Sequence, residues 1–489
     1  MATKKKSPGA TGAAPYKFTD HTNFQQISDF LDTVDKDGTL LSEGDDTDIA
    51  GWCSTGSYLM NAHFSGSIFG GIPLGRMTVY AGDPKTGKSY FALQTCKELQ
   101  ALGYFIQLYE TEASPDKDRF LAQKLDPNQF RKTPVKHIEK VMHYMAATND
   151  KLWKMKEAGQ PVPKIAYVID SWNGLITEKT EQDAIKGELK SDMGHFAKRG
   201  KELANLYSIK GAALGIPLIV TCHIYEKEMG KNGNSHRVRT ASGGNGIMYF
   251  ASILAMLQKK KVSEGDGAER ETVGVMITSQ LAESRYAKTT RVDIYLDFKK
   301  GINKYHGLQP WCSLDTVGVG PGTYLNSTDF VSLLLTSKKI TKDTIVGFAA
   351  GTKDYLSKTL SKSAYGTGNS VLGTLEHFKA VGYIDDKGKF TKKILERFDE
   401  NGKYTKFEDK IAVPGGGNGT YIARHLPGET FSYTSMCQSK VFTDEVLAKL
   451  DEVMKPDFEY GSGPTVEGIE EIALAGEDDF GLGEDVDTE

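Results

Sequence analysis

RMTVYAGDPKTGKSYFAL, residues Arg76–Leu93, is the stretch whose order of residue types decides the fold. Met77–Ala81 is a short apolar run of strand type, Gly82–Ser89 has the spacing G-x-x-x-x-G-K-[ST], and a helix-compatible segment follows. A loop bounded by two glycines can turn its backbone N–H groups inward around phosphate oxygens, and the start of the next helix adds its positive end. In that arrangement Gly82, Asp83, Pro84, Lys85, Thr86 and Gly87 cradle the phosphates, Lys88 reaches the β- and γ-phosphates, and Ser89 takes a place on Mg²⁺. The stretch predicts a site for a nucleoside triphosphate.

Outward from it, residues 61 to about 318 alternate strand-like and helix-like segments, the pattern of a mostly parallel sheet covered by helices. Strands are expected at Met77–Ala81, Tyr104–Tyr109, Ile165–Ile169, Pro217–Cys222, Ser252–Leu257, Thr272–Leu281 and Arg291–Phe298. Functional groups of such folds gather at the carboxyl ends of the strands. Three of these strands end in polar residues: Glu110-Thr111-Glu112, Asp170-Ser171 and His223. Asp170 closes an apolar run in the manner of a carboxylate that holds Mg²⁺; the alternative is a helix cap. Glu112 is the candidate for activating the attacking water, with Glu110 as its rival. His223 is a further candidate.

Two segments leave this region with little apolar content, Ile176–Met193 and Ile224–Ser242, and both read as long loops without regular structure. The second carries Lys227, Lys231, His236, Arg237 and Arg239 around glycines, as a phosphate-backbone contact requires. A solvated surface loop is the alternative.

The 489 residues carry a net charge of −4, with 39% hydrophobic and 25% charged residues, an ordinary globular balance. That total does not announce a nucleic-acid binder, but a basic surface can be offset by an acidic tail. Cys53, Cys96, Cys222, Cys312 and Cys437 are scattered and form no C-x-x-C pair, which argues for reduced thiols in a cytoplasmic setting. No apolar run approaches the ~18–20 residues of a membrane span, and no secretory signal is found.

Residues 1–60 read as a flexible, lysine-tipped segment with an amphipathic helix at Asn23–Val34, a possible contact with another protomer. The glycine-rich stretch Val317–Asn326 marks a boundary to a small C-terminal domain over 328–456. Its helix candidates are Phe330–Leu335, Val371–Val381 and Val441–Val453, and a hairpin turn at Asp385–Gly388 allows a winged-helix reading. Residues 457–489 form an acidic tail; Thr465–Glu489 lacks Lys and Arg and is expected to stay disordered, restraining duplex binding or recruiting a basic partner.

Asp170-Ser171, Lys190–Met193, His223 with Tyr225-Glu226, Ser242–Gly246 with Met248-Tyr249, Glu283–Arg285 and Asp297–Tyr305 (DFKKGINKY) occur in this order. Together they resemble the phage UvsX-like branch of the RecA-type recombinases over roughly residues 60–315. The resemblance implies a RecA-like P-loop ATPase core, a DNA-dependent ATPase that polymerises into helical filaments on single-stranded DNA. Such a protein pairs that strand with homologous duplex DNA and hydrolyses ATP at subunit interfaces.

It further implies Glu112 as the catalytic carboxylate, Asp170 as the Mg²⁺-side acid, and His223 as a γ-phosphate sensor. Both Ile176–Met193 and Ile224–Ser242 become DNA-binding loops, the basic one closing on the Gly243-Gly244 turn. Arg285 stands where related proteins place a cation reaching the neighbouring subunit's γ-phosphate; the first cation of their pair is replaced by Glu283, and Lys288 is a possible substitute. Arg119 or Phe120 would stack on adenine. A recombination mediator and a single-strand-binding protein are the expected partners, in the cytoplasm of a host cell. The alternatives are a ring helicase on the same core and an ATP-binding DNA-coating protein without significant turnover.

Overall fold

The computed structural model describes residues 49–112, 122–188, 193–229, 236–241, 249–264, 271–326, 341–348, 378–379, 382–402, 410–414 and 419–460. The expected helices Asn23–Val34 and Phe330–Leu335, most of Val371–Val381 and the tail Thr465–Glu489 lie outside these residues. The chain begins with β1 (Trp52–Cys53), α1 (Tyr58–Ser65), β2 (Ile72–Pro73), β3 (Met77–Gly82) and α2 (Lys88–Ala101). Then come β4 (Phe105–Glu110), β5 (Phe130–Pro134), α3 (Ile138–Glu157), β6 (Ile165–Asp170), α4 (Glu178–Ile185), α5 (Met193–Lys210) and β7 (Leu218–Cys222). They are followed by β8 (Ile224–Met229), β9 (His236–Ala241), β10 (Ala251–Glu264), β11 (Glu271–Ser284), β12 (Arg291–Asp297) and β13 (Gly301–Ile302). The C-terminal part holds β14 (Val319–Asn326), α6 (Lys342–Ile345), β15 (Lys410–Pro414), β16 (Tyr421–Ala423), β17 (Thr430–Phe431) and α7 (Asp444–Phe458).

Nine strands form one mixed sheet in the order β13-β12-β11-β10-β3-β7-β6-β4-β5. The six strands from β10 to β5 run parallel, and β11, β12 and β13 add an antiparallel extension. Alternation along the central strands sorts their side chains between two hydrophobic layers. Tyr80, Ile106, Leu108, Val168 and Ile219 join the layer with Phe91, Cys96 and Leu99 of α2. Val79, Ala81, Tyr109, Tyr167, Ile169, Leu218 and Val220 join the other, with Val141 and Met145 of α3 and Leu203 and Tyr207 of α5. Covering both faces is why β3 is buried along its whole length.

Several expectations need correction. The core starts before residue 61: Ser57 caps α1 by accepting the Met60 N–H, and Cys53, Leu59 and Met60 are buried. The segment after Asp170 holds a helix, α4, because Thr177 caps its first turn and Glu178 and Glu181 favour its positive end, although none of its residues is buried. The basic segment after His223 is a two-stranded hairpin, β8 with β9, paired from Ile224–Ala241 to Met229–His236. Backbone pairing supplies what apolar content does not.

The glycine-rich boundary is a strand, β14, central to a four-stranded sheet β15-β14-β16-β17. Helix α7 crosses the expected boundary at 456/457, and its Val446, Leu447, Leu450, Met454 and Phe458 share a hydrophobic layer with α1 and α2. Asp451, buried on α7, accepts Ser67 Oγ and the Ile68 N–H, each at 2.8 Å. The Asp385–Gly388 turn is present: the Gly388 N–H donates to Asp385 O at 2.9 Å and Ile384 bridges Phe390. All five cysteines are buried thiols outside any disulfide, and among the described residues no helix is long and apolar enough to cross a membrane.

Candidate active site

At the end of β3 the chain turns through Lys85 (φ 64°) and Gly87 (φ 96°) into α2, which starts at Lys88 with no side-chain cap on its first N–H groups. Those N–H groups face the loop, as anion binding requires. A Cβ on Gly82 would lie 2.6 Å from both Leu257 O and Thr86 Oγ1, and one on Gly87 would lie 2.8 Å from Ile277 Cδ1. Thr86 Oγ1 donates to Asp83 O at 2.9 Å. Lys88 Nζ lies buried inside the turn, donating to Gly82 O at 3.0 Å and Asp83 O at 2.9 Å. Burial pulls the Lys88 pKa below its ordinary value, opposed by the nearby carboxylates of Glu112, Asp170 and Asp83.

Asp170 ends β6, two strands from β3, with β7 between them. Its Oδ1 accepts Ser89 Oγ at 3.2 Å from the first turn of α2, and also Thr221 Oγ1 from the intervening β7. Thr221, fully buried, was not anticipated; the signal was one hydroxyl within the apolar run LIVTC. One carboxylate and one hydroxyl beside a phosphate cradle fit Mg²⁺, which keeps most of its ligands as water and phosphate oxygens. No group of three His, Cys, Asp or Glu side chains placed to hold a metal ion occurs among the described residues.

Glu110 and Asp170 are register partners at the ends of β4 and β6, which puts Glu112 just past the sheet edge. Glu110 is 4% exposed, and its Oε1 accepts the Glu112 N–H at 2.8 Å. The Glu112 side chain is 45% exposed and accepts a hydrogen bond from Ser171 Oγ. Of the two carboxylates, Glu110 supports the turn and Glu112 is open to a ligand. His223 Nε2 stands 3.7 Å from Glu112 Oε1, the His223 backbone N–H donates to Asn173 Oδ1 at 2.6 Å, and its Nδ1 is buried without a partner among the described residues.

Arg285 lies elsewhere. It follows Ser284, which pairs with Ile253, whereas Leu257 is the residue of β10 level with Gly82. The guanidinium is exposed and donates to Tyr249 O at 3.1 Å, at the end of the parallel strands away from its own loop. Glu283 is exposed beside it, and the Lys288 ammonium is engaged by Pro456 O at 2.7 Å, against α7.

The hairpin register sets Lys227 across from Val238, Arg237 across from Glu228 and Arg239 across from Glu226. Because β8 starts at Ile224, directly after His223, this basic hairpin is rooted at the edge of the site. Lys231, Gly243, Gly244, Arg119 and Phe120 lie outside the described residues.

A cleft of about 700 Å³ opens beside the start of α2, between Tyr90, Gln94 and Lys97 on one side and Phe298–Ile302 on the other, with Lys124 at its rim. Tyr90 Oη accepts the Ile302 N–H at 3.3 Å, and a Cβ on Gly301 (φ 76°) would lie 2.7 Å from that oxygen. The N–H groups of Lys299 and Lys300 each donate at 2.8 Å to Asp297 Oδ1, holding that carboxyl below its usual range and shaping the turn that leaves Phe298 60% exposed. Phe298 was anticipated only as the end of a strand. Compared with known protein families and with curated proteins, the chain matches none.

Proposed function

We propose that this chain is an ATP-dependent recombination protein with a RecA-like core, forming filaments on single-stranded DNA and pairing it with homologous duplex. The observation that carries the reading is the convergence of Lys88, Ser89, Asp170 and Glu112 on one glycine-shaped turn. In this reading the Gly82–Ser89 backbone and Lys88 bind the triphosphate, and the cleft faced by Tyr90 and Phe298 receives the base. Ser89 and Asp170 would hold Mg²⁺, which would supply neutralisation of phosphate charge. Glu112 orients and deprotonates the attacking water, with His223 beside it where the γ-phosphate is sensed.

The hairpin that begins at the residue after His223 supplies Lys227, Arg237 and Arg239 to the DNA phosphates, with base identity left to pairing between strands. Arg285, remote from its own loop, serves the loop of the next protomer, so polymerisation completes the site. The mediator and single-strand-binding partners belong to the same reading. The test is ATP turnover with and without single-stranded DNA, and electron microscopy of the products. Glu112→Gln should bind ATP and DNA yet hydrolyse poorly; absence of DNA-stimulated turnover in the wild type refutes the proposal, and closed hexamers in place of open filaments favour the helicase.

A further inference from the structure

Backbone pairing holds Glu110 and Asp170 in register, but that ladder ends with them. Beyond it, Thr111 and Ser171, each 1% exposed, are joined in both directions. Thr111 Oγ1 donates to Ser171 O at 2.8 Å and accepts the Ser171 N–H at 2.9 Å, while the Thr111 N–H donates to Asp170 O at 3.0 Å. Lys136 Nζ donates to the Thr111 carbonyl, and Ser171 Oγ donates to Glu112. Gly174 makes room for this knot: a Cβ there would lie 2.2 Å from Thr111 Oγ1. A hydroxyl is needed because one side chain must donate and accept at once in a dry position.

We propose that Thr111 is a positioning residue whose hydroxyl locks the Glu112 turn to the strand end bearing Asp170, setting the spacing between the water-activating carboxylate and the metal-side carboxylate. The inference rests on the ATPase reading above. Thr111→Val keeps the shape and removes both hydrogen bonds, leaving Ser171 N–H and C=O without that partner. Displacement of a reacting group by ~1 Å costs ~10²-fold in rate, so kcat should fall ~10–100-fold. Nucleotide affinity, set by the glycine turn and Lys88, should stay within about twofold.

The experiment measures DNA-stimulated turnover and, separately, binding of a fluorescent ATP analogue for the full-length wild type, Thr111→Val, Thr111→Ser, Gly174→Ala and Glu112→Gln. The expected pattern is a low kcat at unchanged affinity for Thr111→Val and Gly174→Ala, with recovery to within about threefold of wild type for Thr111→Ser, which keeps the hydroxyl. Should Thr111→Val fail to fold, Gly174→Ala displaces the same oxygen and carries the test. Wild-type kcat in Thr111→Val, or parallel loss of kcat and affinity without recovery in Thr111→Ser, overturns the positioning role while Glu112→Gln remains inactive. A wild type without DNA-stimulated turnover overturns the ATPase reading, and the positioning role with it.

Discussion

Removing the Arg285 guanidinium should stop turnover in the filament without weakening ATP binding by the same chain. Leu257 is level with Gly82, and Ile253 is level with Ser284. At ~3.3 Å rise per residue, Arg285 therefore sits about 15 Å along the strands from its own loop. Across water at that distance a unit charge pair is worth about 0.3 kcal/mol, less than twofold in rate. A cation delivered in trans onto the γ-phosphate is worth ~10³–10⁵, so the two placements differ by orders of magnitude.

Phosphate release at saturating ATP and single-stranded DNA should thus fall at least ~10³-fold in Arg285→Ala. Arg285→Ala chains keep an intact loop, and Lys88→Ala chains keep an intact arginine. Random mixing in equal amounts joins the two correctly at about one junction in four, so turnover should recover to about a quarter of wild type. A mixture no more active than its separate components, or full activity of Arg285→Ala alone, would refute the reasoning.

Lys88→Ala should abolish the rise in DNA affinity produced by ATP, measured by anisotropy with labelled single strands; a persisting rise removes the phosphate loop from the coupling. Neutralising Arg237 and Arg239 should flatten the plot of log K against log[salt] by ~0.7 for each phosphate no longer neutralised, and an unchanged slope places the DNA away from the hairpin. Asp451→Ala leaves Ser67 Oγ and the buried Ile68 N–H without their acceptor, so stability should drop by about 2–4 kcal/mol in urea titrations, with no shift if α7 contributes nothing to the core.

The parts of the fold that depend on short-range order were legible. Met77–Gly82, Ile165–Asp170 and Leu218–Cys222 lie within a residue of their expected places, because an apolar run between turn residues has few other ways to be buried. The edge strand Phe130–Pro134 was missed: with Phe130 only half-buried and Arg131 and Lys132 exposed, it has little apolar signature. The hairpin β8–β9 was missed for a related reason, since its strands are held by the backbone ladder and their composition reads as loop. Thr221 and Thr111 could not be singled out, because their roles come from strands and turns that are distant in sequence and adjacent in space.

The chain's residues, taken alone, determined the glycine-bounded turn between β3 and α2, since glycine, lysine and serine at that spacing act over eight consecutive positions. They also determined the alternation that calls for a covered parallel sheet. Tertiary structure alone decided that β7 stands between the Gly82 and Asp170 strands, that Glu110 is buried while Glu112 is exposed, and that Arg285 is displaced along the strands from its own loop. The reason is physical: periodicity encodes which side of an element is buried, whereas strand order and register are set by packing among segments distant in sequence.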